Sequence, residues 1–296
     1  MHQPKLHSNP LWYPNGLTFT NRNLVGMEPL AIFIDKSDTI YVADNSNGSI
    51  RVWVNGHIDH VKTYAINFSY CWSLFVTLNG DIYYDHGGRG QVGKWSFSEN
   101  TSAVVLEVGD SCAGLFVDNE NDLYCSIWNG HKVLKKSLNR DLHSPIVVAG
   151  TGIAGRDAMS LDNPRGIFIG LSFNLYIADC FNHRIQMFQV EQRQGKTLVG
   201  NGAPETFELS YPTGVVIDGG GFVFVVDNNH HRIVASNTDG FRCLVGCSNQ
   251  YGMNQNRLFY PYSMAFDTHG NMFVTDQNNH RIQKFILAEN RSSKYF

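Results

Sequence analysis

The chain has 296 residues, 43% hydrophobic, 12% aromatic and 17% charged, with a formal net charge of −3. That is ample apolar material for a core, and the charge gives no global attraction to nucleic acid or an anionic membrane. No run of about 18 apolar residues marks a membrane span. Met1 is followed by polar residues rather than a leader's apolar stretch, so the expected location is cytoplasmic, or extracellular if a leader precedes this sequence.

In chain order, the first strand-like run is "GLTFT" at 16–20, which has no partner nearby. Behind it a series begins: "IYVADNSNGSIRVW" (40–53), "IYYDHGGRGQVGKW" (82–95), "LYCSIWNGHKVLKK" (123–136), "LYIADCFNHRIQMF" (175–188), "VFVVDNNHHRIVAS" (223–236) and "MFVTDQNNHRIQKF" (272–285). In each copy an aromatic is followed nine positions later by Ile or Val, from Tyr41/Ile50 to Phe273/Ile282. The anchors recur every 41 to 52 residues, and a second apolar run precedes every copy, as in "GIFIGL" and "GVVIDG". Six copies with matching internal spacing define a repeat protein.

Each unit reads as strands, because its runs are short, β-branched or aromatic, and bounded by Asn, Gly and Asp. Turn residues such as "DGGG" and "DTHG" close a first hairpin, "DCFN" and "DQNN" a second, and a fourth strand follows as "PIVVAG" or "KTLVG". Four strands per unit of this length predict an all-β, six-bladed β-propeller of four-stranded antiparallel blades in one domain, residues 1–296. The blades fall near 30–64, 73–107, 113–149, 165–200, 213–246 and 262–287. The sixth is a strand short, so the N-terminal strand at 16–20 is expected to complete it and remove an open edge.

The residues "NHRI" at 182–185 and 279–282 and "HHRI" at 230–233, with "NPRGIFI" (163–169) and "YPTGVVID" (211–218) upstream, resemble the NHL repeat family. The likeness is sharp in the last three blades and worn in the first three, where Asn47-Gly48-Ser49, Arg89-Gly90-Gln91 and Gly130-His131-Lys132 stand instead. The resemblance implies a binding platform. Relatives include recognition modules of tripartite-motif ubiquitin ligases, RNA binders, bacterial sensors and a few enzymes such as amidating lyases.

The Asp and Arg of the motif recur as Asp179/Arg184, Asp227/Arg232 and Asp276/Arg281. An active site is rarely built three times around a ring, so these pairs are read as structural: the Asp caps loop N–H groups and the Arg returns to the carboxylate. His86 and Ile127 replace the Asp where Gln91 and Lys132 replace the Arg, while in blade one Asp44 faces Ser49. The recognition face is expected on the rim carrying the second hairpin loops and the residues around the inner-strand prolines. Its candidates are Trp72, Arg165, Asn182, His183, Tyr211, His231, Tyr260, Tyr262 and His280, side chains suited to stacking and hot-spot contacts. The alternative role for the Tyr and Trp is to pack the inner strands and plug the channel.

By the resemblance, the metal-binding His of amidating lyases come from the slot after the inner-strand proline. Here that slot holds Leu30, Trp72, Ala113, Arg165, Thr213 and Tyr262, none a metal ligand, and no nucleophile elbow or phosphate loop occurs. No metal or cofactor is therefore expected. The six cysteines, Cys71, Cys112, Cys125, Cys180, Cys243 and Cys247, allow 15 pairings among which sequence cannot choose. With sequons at Asn47, Asn67, Asn100 and Asn290 they lean toward an oxidising setting. The expectation is a monomeric, non-enzymatic binding or scaffold module for a protein, peptide or glycan, with RNA less favoured at this net charge. A substrate- or RNA-recognition propeller of a ubiquitin ligase is the second reading, and a secreted lyase or hydrolase the third.

Overall fold

A computed structural model describes residues 3–57, 61–139, 144–248 and 250–288; the sequon at Asn290 lies outside them. Six antiparallel four-stranded sheets form six blades around a central channel. Blade four shows the pattern: Pro164–Ile169 innermost, then Leu175–Asp179, Arg184–Phe188 and Lys196–Gly200 outermost. Blades one, two and three begin with Ile32–Ile34, Leu74–Val76 and Cys112–Val117, blades five and six with Pro212–Ile217 and Pro261–Phe266.

Burial follows position in the blade. Second strands such as Val223–Asp227 and Met272–Asp276 are buried at every residue, being covered by a blade on each side. The outer strand Thr101–Glu107 is mostly exposed. At the channel, Phe33, Phe75, Phe116 and Phe168 form an edge-to-face or tilted relay across four inner strands, with centroids 5.0 to 5.2 Å apart.

The ring closes as expected. Leu17–Thr20 pairs antiparallel with Arg281–Phe285, in the order outer to inner of blade six. Phe19 packs edge-on against Phe273 and Trp53, stitching blade six to blade one. The segment before it closes the ring a second time, which the strand count did not anticipate. Trp12 bridges to Leu287, donates its indole N–H to Gly270 at 2.9 Å and lies buried between Phe224 and Phe266. Further up, Gly219 donates its N–H to the Pro4 carbonyl and Leu6 its N–H to Asp218. Between the closing strand and blade one runs a single helical turn, Arg22–Val25, capped by the Asn21 side chain.

Candidate recognition face

The repeated Asp–Arg pairs organise loops. Arg184 donates from Nε to Asp179 at 2.7 Å and from its terminal nitrogens to the carbonyls of Arg156, Asp157 and Ser160. Arg281 does the same to Asp276 and to Met253, Asn254 and Arg257. Arg232 holds Asp227 at 2.7 Å and the Glu208 carbonyl. Each guanidinium thus ties the loop arriving from the previous blade to the second hairpin of its own blade. The other carboxylate oxygen accepts the N–H of Asp162, Ser210 or Phe259, each at 2.7 Å, on the approach to the inner strand rather than within the hairpin loop.

Two blades depart from the pattern in ways the alignment did not show. In blade one Arg51 supplies the guanidinium, 3.0 Å from Asp44. It stands two residues beyond Ser49 on the same strand face, so its long side chain leans back over the serine. In blade two Asp85, not His86, carries a carboxylate role from the opposite strand face, accepting the Cys112 N–H at 3.0 Å. Asp85 is fully buried with no cation beside it among the described residues, and burial lifts its pKa to about 7.

The loop-tip histidines join blade to blade. His183 Nδ1 accepts the Tyr211 N–H at 3.1 Å, His231 that of Tyr260 at 3.2 Å, and His280 that of Glu28 at 3.1 Å. His131 does the same for Asn163 at 3.2 Å, so the worn third copy keeps the working residue. Burial holds His183 and His231 below the ordinary 6.5. Asn182 is buried and donates to Gly155 and Asp179. Asn182 and the three candidate histidines therefore carry the blade junctions. Tyr211, 40% exposed, and Tyr260 stand over their histidine rings at 4.4 and 4.6 Å, next to exposed Phe181 and Tyr251.

The remaining candidates meet at the channel mouth on the same rim. The Arg165 guanidinium lies 5.1 Å from the Trp128 ring, 5.5 Å from Tyr262 and 5.7 Å from Trp72, residues of four different blades. Trp72 in turn touches Trp128, Tyr262 and Tyr70. Hydroxyl groups set this geometry by bonding to post-proline carbonyls of the next blade. Ser126 donates to Arg165, and Thr213 to Tyr262 at 2.7 Å. Gly114 is required beside Arg165, because a Cβ there would lie 2.5 Å from the Arg165 carbonyl oxygen.

Among the described residues, no carboxylate or carbonyl accepts from the Arg165 side chain, and its Nε is enclosed without a partner. The Tyr262 hydroxyl, in a residue only 2% exposed, is likewise enclosed: its oxygen neighbours the Arg165 guanidinium, and among the described residues its own O–H meets no acceptor. Burial pushes the Tyr262 phenol up to about 12, with the guanidinium restraining the rise. Sequence alignment placed Trp72, Arg165 and Tyr262 here but missed Trp128. It occupies the first position of the second hairpin loop, a slot that also places Cys180 near Arg165.

Elsewhere the chemistry is committed. Asp118, Glu120 and Asp122 have metal-like proximity, but Asp118 accepts the N–H groups of Glu120 and Asp122, and Lys135 pairs with Asp122 at 2.7 Å. Disulfides join Cys112 to Cys125 within blade three and Cys243 to Cys247, and Cys71 and Cys180 are buried free thiols. Among the described residues no helix is long and apolar enough to cross a membrane.

Similarity to known proteins is one of fold. A streptogramin B lyase structure is similar at TM-score 0.65 and 14% identity, covering 92% of this chain and 97% of that one. An auxiliary nutrient binding protein from Bacteroides ovatus gives 0.69 and 14%, covering 97% and 76%. A chain of a nidogen–laminin complex gives 0.61 and 17%, covering 80% and 84%. No curated protein matches the sequence. The family model of the NHL repeat matches residues 209–235, which span the approach to blade five, its first two strands, its histidine loop and the start of its third strand. The chain therefore carries an NHL repeat, at residues 209–235, within a closed six-bladed β-propeller.

Proposed function

We propose that this protein is a binding module whose recognition face is the rim bearing Arg165, Trp72, Trp128 and Tyr262, and that its ligand is a protein, peptide or glycan. The observation carrying this reading is the Arg165 cation, held among three aromatic rings with no anionic partner among the described residues. A guanidinium and large aromatics gathered in one depression are the side chains that dominate binding energy at interfaces. Exposed Phe181, Tyr211 and Tyr251 extend the same rim outward.

The opposite rim is built differently. Its hairpins are closed by Asp35, Asp118, Asp218 and Asp267, each accepting N–H groups of its own turn. Those carboxylates are spent on the turns. The reading is tested by quantitative capture from cell extract, comparing the parent with Arg165→Ala/Tyr262→Ala and with Leu78→Asp/Leu171→Asp on the opposite rim. Partners lost only in the first variant support it. Partners lost only in the second place recognition on the other rim.

A further inference from the structure

We infer that the channel mouth is a carboxylate-binding pocket, with Arg165 and Tyr262 as its donors. This rests on reading the rim as the recognition face, and it deepens that reading by naming the chemical group received. Four other charged pairs on the same rim, at Arg51, Arg184, Arg232 and Arg281, are matched to a carboxylate at 2.7 to 3.0 Å. Arg165 instead has three ring faces around it and, among the described residues, no carboxylate within ion-pair distance. A cation withdrawn from water without a counter-charge is costly, and cation–π contact offsets only part of that cost. The rings leave the enclosed Nε–H unused.

What would use them follows from geometry. A guanidinium presents a planar fork of donors that matches a carboxylate in two parallel bonds. Tyr262 sets an unpartnered O–H beside that fork, in a side chain almost fully buried. Trp72 and Trp128, 5.2 Å apart, wall the site with apolar surface that suits a flat or apolar group bearing the acid. A dianion such as phosphate suits it less. Among the described residues Arg165 is the one cation against these rings, and Tyr70, which packs on Trp72, already donates to the Glu28 carboxylate at 3.1 Å. Below the plug, the channel offers about 110 Å³ of internal space lined by Tyr262, Trp72 and the inner-strand Phe residues.

The test is a titration of intrinsic tryptophan fluorescence in the full chain with benzoate and, as the neutral isostere, benzamide. Benzoate is expected to give a saturable change and benzamide none. Arg165→Gln, checked for unchanged near-UV dichroism, should weaken benzoate by about tenfold or more, the loss of a charge-assisted pair. Tyr262→Phe, which removes a hydroxyl whose O–H has no acceptor, checked for unchanged near-UV dichroism, should weaken it by a smaller factor. Equal response to benzoate and benzamide, no saturable response to benzoate, or parental affinity in both variants overturns the pocket.

A second arm identifies the source of the acid by titrating acetyl-Gly-Phe with a free or an amidated C-terminus. Tighter binding of the free-acid peptide than of benzoate assigns the pocket to chain termini. The reverse order assigns it to small free acids, and both orders uphold it. If carboxylates fail while partners captured by the parent are still lost on disrupting this rim, the pocket falls and the binding-module reading stands.

Discussion

The Nδ1 atom of His183 accepts the backbone N–H of Tyr211 at 3.1 Å, and Tyr211 holds φ at +50° immediately before Pro212. A left-handed residue ahead of proline is unfavourable backbone that persists only where its surroundings enforce it. The same arrangement recurs at Glu28, Asn163 and Tyr260, with φ of 50 to 52°, and each is held by a histidine of the blade before. Blades two and three start with Cys71 and Cys112 in place of proline, and the tips that precede them are Gly48 and Gly90. Where the strained X-Pro step is absent, so is the histidine.

This coupling gives a pH dependence. His183 and His231 have folded pKa values below 6.5, so the unfolded chain takes up protons first as pH falls. Their contribution is complete above about pH 6.5 and is lost as pH falls through the folded values. The urea midpoint should therefore drop between pH 7 and 5. In His183→Asn/His231→Asn, where Asn tolerates the left-handed backbone, that drop should be smaller. An unchanged slope would place the titration elsewhere.

Asp85 acts in the opposite direction. Its pKa is raised from 3.8 to about 7, so its neutral form suits the fold and stability is lost as pH rises through that window. Asp85→Asn should gain relative to the parent on going from pH 4 to 8, read from paired denaturation curves. A constant difference across that range contradicts a cation-free buried carboxylate.

The motif arginines should rank by what they hold. Arg184→Ala and Arg281→Ala each remove one carboxylate bond and three carbonyl bonds. Arg232→Ala removes one carboxylate and one carbonyl bond, besides a contact to His230. Losses of about 1–3 kcal/mol are expected, with Arg232 the mildest. Equal losses, measured by calorimetry, would mean that the loop carbonyls contribute nothing.

Deleting residues 1–20 removes both closures, the Leu17–Thr20 strand and the buried Trp12. Blade six then shows an unpaired apolar edge. The truncated protein should aggregate or melt well below the parent. An unchanged melting temperature would refute closure by the N-terminus.

The fold was legible because short β-branched and aromatic runs, bounded by turn residues and with one internal spacing, repeat six times, and even the closing strand followed from counting. The site was legible in part. Post-proline slots found Arg165 and Tyr262 because an inner strand must point its first side chains at the channel mouth. Trp128 escaped because it follows a second strand, outside the slot that was aligned. The loop-tip histidines were read as surface or blade-boundary residues as well as rim candidates, and sequence does not show that a tip bonds the next blade's backbone. Arg51 escaped for a similar reason: strand neighbours two apart share a face, and alignment by column hides that.

The central claim, that recognition uses the rim of Arg165, is tested most directly by hydrogen exchange of the parent with and without a captured partner. Protection should concentrate in peptides covering 160–166, 180–184, 208–213 and 257–263, the approaches and loops of that rim. Protection confined to the turns at 77–81, 118–122 and 170–174 would contradict it.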